Sequence, residues 1–241
     1  MHQIDNWFFL DLSKKEDTVG FFEANRFDVV IHLATILADQ ANLNNLDTFH
    51  ENLLMQTNLV EALKNYDTCH LINFSSSAVY PNTSGIFKET DEINPSVNTD
   101  SLYGLAKFNG EMLFKTLMPK SVAQLHLRVG FVYGKGMNPG RIHSVFKKEL
   151  LATNQITVFG NGIRTIPQIE IGSLGLKVEY FIKNKVLGTI NVADENISLE
   201  ALAMRIIQKY GNQDSQIIYK PNGNQYQFKL DLDHLNKIIN D

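Results

Sequence analysis

Residues 27–34 read FDVVIHLA, a run in which nearly every residue is apolar. Strands of a parallel sheet that is covered by helices on both faces are apolar throughout, whereas half-solvated strands alternate apolar and polar residues. The run therefore predicts a strand buried on both faces. The stretches CHLINFSS (69–76) and VAQLHLRVGFVYG (122–134) predict two further strands of the same sheet, and WFFLDL (7–12) predicts another.

Helical patterns separate these runs. Amphipathic stretches at about 44–65 and 101–118 predict two long helices. SKKEDTVGFFEANR (13–26) predicts a shorter helix, with Ser13 as its N-cap and Glu16 at the capping-box position. Strands that alternate with helices predict an α/β fold, a doubly wound parallel sheet of the Rossmann type.

The pattern becomes irregular beyond residue 135. Helices are predicted near 141–152, 173–184 and 198–210, separated by the short apolar runs ITVFG, TINVA and QIIYK. We expect this part to form a smaller α+β lobe packed on the sheet. The predicted division is a sheet domain at 1–135 and, mainly, a second lobe at 136–241.

Composition excludes several classes of protein. The chain has 241 residues, 44% of them apolar, and a formal net charge of −4, which disfavours a nucleic-acid partner. Its longest apolar stretch, at 28–38, is far below the roughly 20 residues of a membrane span. No secretory leader is recognisable, and the single cysteine suits a reducing cytosol, so we expect a cytoplasmic protein. The seven His residues lack metal-ligand spacing, and no metal site is predicted.

The stretch SLYGLAKFNGE (101–111) contains a possible catalytic pair. Residues four apart share a helix face, so Tyr103 and Lys107 are expected to be neighbours. A phenol with a pKa near 10 is a poor base, but a nearby ammonium favours the phenolate. Ser76 ends a predicted strand, at the edge where doubly wound sheets bind ligands, and could hold a substrate oxygen. The alternative is a polar stripe on an ordinary helix.

The order of motifs resembles the NAD-dependent epimerase/dehydratase family, the extended short-chain dehydrogenases/reductases that act on nucleotide sugars. The motifs that carry the resemblance are DL (11–12), DVVIHLA (28–34), ENLLMQTNLVEA (51–62), INFSSSAVYP (72–81), YGLAK (103–107), LRVGFVYGKG (127–136), ITVFGNGIRT (156–165) and NVADENISLEALAMRI (191–206).

The resemblance implies a role for each matching position. Tyr103 would be the general acid/base, Lys107 would hold the nicotinamide ribose and depress the pKa of Tyr103, and Ser76 would orient the sugar hydroxyl or ketone. The cofactor would be NAD or NADP. The residues implied to contact it are Asp11, Leu12, Leu33, Ala34, Thr35, Tyr103, Lys107 and Gly130. Those implied to contact the substrate are Ser76, Ser77 and Arg164.

The implied activity is that of an NAD(P)-dependent nucleotide-sugar epimerase or dehydratase that acts through a transient keto-sugar. Residues 1–135 would bind the dinucleotide and 136–241 mainly the substrate, and the helices at 44–65 and 101–118 would form a homodimer. Two alternatives stay open. One is a noncatalytic, truncated relative that serves as a sugar-nucleotide-binding or subunit-interaction module; the other is a deoxysugar 4-keto reductase. The sequence does not fix the sugar.

One family feature is absent from the sequence. The family opens with a strand and a glycine-rich loop that holds the cofactor pyrophosphate, yet the only glycine before Gly85 is Gly20, inside a predicted helix. We expect that an N-terminal βαβα unit of about 45 residues is missing. The sequence would then be either a fragment of a longer chain or a truncated relative. In that case residues 7–11 should pair directly with 28–33 or be poorly ordered.

Overall fold

A computed structural model describes residues 7–38, 42–66 and 69–240. The helices are α1 (Lys15–Ala24), α2 (Leu46–Leu63), α3 (Ser101–Leu117), α4 (Ile142–Thr153), α5 (Ile171–Lys183), α6 (Leu199–Tyr210) and α7 (Asp233–Asn240). The strands are β1 (Val29–His32), β2 (Cys69–Ser76), β3 (Gly85–Phe87), β4 (Val122–Val129), β5 (Phe131–Tyr133), β6 (Gln155–Phe159), β7 (Thr165–Glu170), β8 (Gly188–Val192), β9 (Glu195–Ser198), β10 (Gln216–Lys220) and β11 (Phe228–Leu230). Single turns of 3-10 helix lie at Ser77–Val79 and Pro95–Val97.

The main sheet has four parallel strands in the order β1-β2-β4-β8. Its two central strands are largely buried. One core cluster packs them against α2 and α3, and a second core cluster packs them against α5 and α7. The predicted α/β fold with a doubly wound parallel sheet is confirmed. The sequence pattern did not show that β8, from the region after residue 136, would return to this sheet.

Three expectations at the beginning of the chain are wrong: a strand at 7–12, Ser13 as the N-cap of α1, and burial of β1 on both faces. Residues 7–12 form no strand and do not pair with β1, because Asp11 turns the chain into α1. The Asp11 carboxylate accepts hydrogen bonds from the backbone N–H of Ser13 at 3.0 Å and from its hydroxyl at 2.6 Å. Ser13 is therefore occupied and caps nothing, and α1 begins at Lys15. β1 is not buried on both faces, since Ile31 is 40% exposed.

The predicted strand at 122–134 is interrupted at Gly130. The chain leaves β4 there and continues as β5 in a second sheet of order β5-β7-β9. A Cβ atom at Gly130 would lie 2.7 Å from the carbonyl oxygen of Pro167, so only glycine allows this close approach. The break carries the chain past the carboxyl end of β4, where ligands of doubly wound sheets bind.

Residues after 136 contribute to two cores. β6 and β10 form a parallel pair that packs against α4 and α6 around Phe146, Val158 and Leu202. α5, β8 and α7 instead share a core with β2 and β4. None of the helices within the described ranges is both long and apolar enough to cross a bilayer.

Candidate active site

The first turn of α3 lies directly against the turn that follows β2. A Cβ at Gly104 would be 2.2 Å from the carbonyl oxygen of Ala78, so a side chain there would force the two segments apart. Asn98 also holds the turn, because its side-chain amide donates to the carbonyls of Ala78 and Tyr80, at 2.6 Å each. This close packing sets Tyr103 beside Ser76 at the carboxyl edge of the main sheet.

Tyr103 keeps its proton in the chain alone. Burial raises the pKa of its phenol to about 12, against the opposing effect of a hydrogen bond with Ser76, and the Asp100 carboxylate raises it further. Ser76 itself accepts a hydrogen bond from the backbone N–H of Ala78 at 3.1 Å. The pKa of Tyr103 is thus raised in the chain without ligand because burial dominates, and a lowering by Lys107 stays a prediction.

Lys107 lies one turn further along α3 and is 4% exposed. Its ammonium donates to the carbonyl oxygen of Phe74 at 2.8 Å and lies 5.7 Å from the centroid of the Tyr103 ring. Burial lowers the pKa of this amine to about 8. An ammonium has three N–H groups, and Phe74 is its one hydrogen-bond partner within the described residues. The unused donors fit a ligand that brings hydroxyl groups, as a ribose does.

Two asparagines of α2 hold the segments that the resemblance assigns to the cofactor. The Asn52 side chain accepts from the Thr35 hydroxyl at 3.1 Å and from the backbone N–H of Ile36 at 2.7 Å. The Asn58 amide donates to the carbonyl oxygen of Leu12 at 2.9 Å. Both asparagines are buried. The motif ENLLMQTNLVEA (51–62) contains both asparagines, but the sequence predicted no role for their amides, because only the fold shows which backbone groups they bind.

The other residues implied to contact the cofactor lie on the surface beside these segments. Leu33 and Ala34 follow β1 with exposed side chains. Asp11 is also exposed, and the hydrogen bond from the Ser13 side chain is the main reason that its pKa lies below the ordinary value. Gly130 donates its backbone N–H to Val192 at 2.9 Å, so protein occupies one of its sides.

A buried ion pair supports β2 from behind. Arg128 donates from Nε and Nη2 to both carboxylate oxygens of Glu111, at 3.0 and 2.8 Å, and from Nη1 to the Tyr80 hydroxyl at 2.8 Å. The Ser75 hydroxyl donates to Glu111 at 2.6 Å. Burial works against ionisation, but the hydrogen bonds and charge of Arg128 keep the pKa of Glu111 below its ordinary value. The ion pair thus holds Ser75, just before the turn at Ser76, and Tyr80, just after it.

The predicted substrate residues are less closely grouped. Ser77 begins the 3-10 turn after Ser76. Arg164 lies over the Tyr226 ring, 5.3 Å from its centroid, and its Nε is buried without a hydrogen-bond partner in the described part of the chain. No contact joins Arg164 to Tyr103 within the described ranges. The structure therefore assembles Ser76, Tyr103 and Lys107 but does not bring Arg164 to them.

A second arginine, Arg141, lies near Tyr103, which the sequence did not indicate. The Arg141 guanidinium lowers the pKa of both Tyr103 and Asp100, against the larger effect of burial, and stands 5.7 Å from the centroid of the Phe131 ring. Arg141 belongs to no motif, so only the fold could show its proximity.

Comparison with known proteins agrees with this geometry. A model of the NAD dependent epimerase/dehydratase family matches residues 2–167. A dTDP-D-glucose 4,6-dehydratase of Dictyostelium discoideum is 26% identical over 202 residues, which cover 78% of this chain and 46% of that protein. A dTDP-4-dehydrorhamnose reductase of Aggregatibacter actinomycetemcomitans is 30% identical over 128 residues, covering 52% and 41% of the two chains. The chain spans about half the length of these curated relatives.

Solved structures share the fold. The UDP-glucuronic acid 4-epimerase of Bacillus cereus, in complex with UDP-glucuronic acid and NAD, superposes with a TM-score of 0.75 at 22% identity. The match covers 93% of this chain and 72% of that one. Since the family model matches well over half of its residues, the chain belongs to the NAD-dependent epimerase/dehydratase family.

Proposed function

We propose that the chain supplies the catalytic groups of an NAD(P)-dependent nucleotide-sugar epimerase or dehydratase that works through a transient keto-sugar. The observation that carries the proposal is the assembly of Ser76, Tyr103 and Lys107 at the carboxyl edge of the main sheet. Bound NAD or NADP would supply the hydride acceptor and donor for a sugar carbon. The family name and the NAD complex of the Bacillus cereus epimerase support this choice of cofactor.

Each of the three residues has a separate task in this proposal. The protonated phenol of Tyr103 donates a proton to a sugar carbonyl oxygen, and its phenolate form takes the proton from a sugar hydroxyl. Ser76 holds the same sugar oxygen and stabilises the phenolate by a hydrogen bond. Lys107 binds ribose hydroxyls with its unused N–H groups, and its charge favours the phenolate.

The substrate class is a nucleotide sugar. The dehydratase and the reductase that the chain resembles are named for dTDP sugars, and the Bacillus cereus epimerase was solved with UDP-glucuronic acid. Ser77 would contact the sugar beside Ser76. Arg164 would bind the diphosphate through its guanidinium group, since guanidinium groups bind phosphate oxygens well.

Two alternatives to this function predict different results. A deoxysugar 4-keto reductase, which the similarity to the dehydrorhamnose reductase favours, would consume one reduced nicotinamide per sugar. An epimerase or dehydratase returns the hydride and shows no net consumption. A noncatalytic sugar-nucleotide-binding or subunit-interaction module would bind nucleotide sugar or partner without turnover.

We further propose a cytoplasmic homodimer. The outer surfaces of α2 and α3 expose the apolar side chains Leu46, Leu105, Met112 and Leu117, and a second copy would cover them. Light scattering on the purified chain tests this directly: a monomer that persists at high concentration contradicts the dimer.

The test of function combines binding and turnover. The purified chain is titrated with NAD and with NADP by calorimetry, and UDP-glucuronic acid, UDP-glucose and dTDP-glucose are then followed by NMR for new products. Tyr103→Phe should lower kcat at least about 100-fold with little change in nucleotide-sugar affinity, because it removes only the proton carrier. Tyr219→Phe, at an exposed tyrosine, is the matched control. Binding of sugar nucleotide with no turnover would contradict the epimerase and dehydratase activities, and would leave the noncatalytic module and the reductase, whose keto-sugar substrate is not among these compounds.

A further inference from the structure

A histidine outside every motif has one ring nitrogen fixed by the protein and the other open. His143, on α4, contacts the Gln168 side chain through Nε2 at 2.7 Å. Its Nδ1 has no hydrogen-bond partner within the described residues, and it is not among the atoms sealed from solvent. The ring lies nearly parallel to the Tyr133 and Phe131 rings, with centroid separations of 4.3 and 5.8 Å.

A chain of hydrogen bonds fixes which nitrogen carries the proton. Arg205 donates two hydrogen bonds to the carboxylate of Glu195, and the hydrogen bonding of Arg205 is the main reason that the pKa of Glu195 is lowered. An ionised carboxylate only accepts, so the Gln168 atom that faces it at 3.0 Å is the NH₂ group. The Gln168 oxygen must then face His143, whose Nε2 carries the hydrogen. In the neutral ring, Nδ1 is consequently an acceptor.

His143 packs on β5, close to the edge of the main sheet where doubly wound folds bind ligands. β5 begins immediately beyond the carboxyl end of β4, and Glu195 lies just beyond the carboxyl end of β8. Arg141, two residues before His143, is near enough to Tyr103 to affect its pKa. His143 and Arg141 both lie against the ring of Phe131, the first residue of β5, so His143 is linked to the surroundings of Tyr103 through this shared ring. Burial lowers the pKa of His143, which favours the neutral, accepting ring at neutral pH.

We propose that His143 is a substrate-binding residue whose Nδ1 accepts a hydrogen bond from a hydroxyl group of the nucleotide sugar, with its tautomer set by Gln168, Glu195 and Arg205. The inference rests on the proposed function and deepens it, since it names a contact to the same substrate. It assigns a use to the stacking of the His143 ring on Phe131 and Tyr133.

Two amide substitutions test the two ring nitrogens of His143 separately. His143→Gln keeps a donor where Nε2 lies and removes the Nδ1 acceptor, whereas His143→Asn keeps a polar group near Nδ1 and loses the contact with Gln168. Loss of one hydrogen bond to ligand corresponds to roughly fivefold to tenfold in Kd. His143→Gln should therefore weaken binding by about that factor, and His143→Asn should weaken it clearly less. His50→Gln, at an exposed histidine of α2, should change nothing.

The measurement is calorimetric titration with dTDP-glucose and UDP-glucuronic acid, followed by the nucleoside diphosphate of whichever binds more tightly. A loss confined to the sugar nucleotide assigns the hydroxyl to the sugar, and an equal loss with the diphosphate assigns it to the ribose. ¹⁵N NMR of the imidazole should show the Nε2–H tautomer in the free chain and a shift of Nδ1 on addition of ligand.

Any one of four results would overturn the inference. An Nδ1–H tautomer in the free chain contradicts the hydrogen-bond chain. Equal affinity of His143→Gln and wild type, or an equal loss in both variants, shows that the histidine is structural while the proposed function stands. Failure of the wild-type chain to bind either sugar nucleotide overturns the proposed function, and this inference with it.

Discussion

Two buried imidazoles should make the fold sensitive to mild acid. His32, Asn73 and His126 lie side by side on β1, β2 and β4, in register across the main sheet. The rings of both histidines pack near the ring of Phe114. Burial is the main reason that the pKa of His32 is lowered to about 3 and that of His126 to about 4, from an ordinary value of 6.5.

The sign and size of the effect follow from proton linkage. Below pH 6.5 the unfolded chain binds a proton at each imidazole and the folded chain does not, so the free energy of unfolding falls as the pH falls. Between pH 7 and pH 5, where both folded imidazoles stay neutral, the loss is about 2 kcal/mol for each histidine and about 4 kcal/mol for the pair. The pKa of His70 is lowered in the same direction, also mainly by burial, and adds to the loss.

Urea denaturation followed by circular dichroism at pH 7 and pH 5 measures this difference. His32→Gln removes one titrating imidazole, so the difference between the two pH values should shrink by about 2 kcal/mol, whatever the variant's stability at pH 7. His50→Gln, at an exposed position, should leave it unchanged. A wild-type difference below about 1 kcal/mol, or one that His32→Gln does not reduce, would refute the argument that these rings are held neutral.

Substitutions at Gly104, Asn58 and Glu111 test the local geometry. Gly104→Ala should destabilise the fold by about 2 kcal/mol and abolish turnover, because its Cβ meets a backbone oxygen. The control Gly20→Ala, with nothing within 4 Å of its Cβ, should stabilise the fold by about 0.5–1 kcal/mol. Equal changes in the free energy of unfolding of the two variants, measured by urea denaturation, would contradict this prediction. Asn58→Asp should weaken NAD binding more than Asn58→Ala in calorimetry, because a carboxylate would face the carbonyl that the amide now holds; the reverse order would exclude this role. Glu111→Gln should lower the free energy of unfolding by about 3–5 kcal/mol, because it leaves the buried guanidinium of Arg128 without its carboxylate. The double variant Glu111→Gln, Arg128→Met should recover part of this loss. A double variant no more stable than Glu111→Gln would contradict the prediction.

Patterns confined to one segment predicted the structure well. β2 spans residues 69–76, as predicted, because a central parallel strand is decided by burial on both faces. α3 was also predicted closely, since its amphipathic period is local. The candidate pair Tyr103 and Lys107 needed only the helix period to be placed on one face, and the structure places Lys107 near the Tyr103 ring.

Features that depend on distant segments could not be predicted. Residues 7–12 have a strand-like composition, but a strand also needs a neighbour to pair with its backbone, and Asp11 forms a turn instead. The short run TINVA (189–193) resembled the other strands of the second lobe, and only its pairing with β4 assigns it to the main sheet. His143 gave no signal at all, because its role depends on a glutamine, a glutamate and an arginine from three later elements.

The pKa of Tyr103 shows why a motif identifies residues more reliably than it identifies their charge state. The spacing to Lys107 suggested a lowered phenol pKa, yet the ammonium is held by the carbonyl of Phe74 and burial dominates, so the phenol is protonated. A protonated phenol beside Ser76 is ready to act as an acid toward a ketone. Acting as a base requires the phenolate, which needs additional hydrogen bonds or positive charge around its oxygen to offset burial, and a bound ligand would have to bring them. The proton-donating half of the chemistry is therefore built into the unliganded fold, and the proton-accepting half depends on what binds.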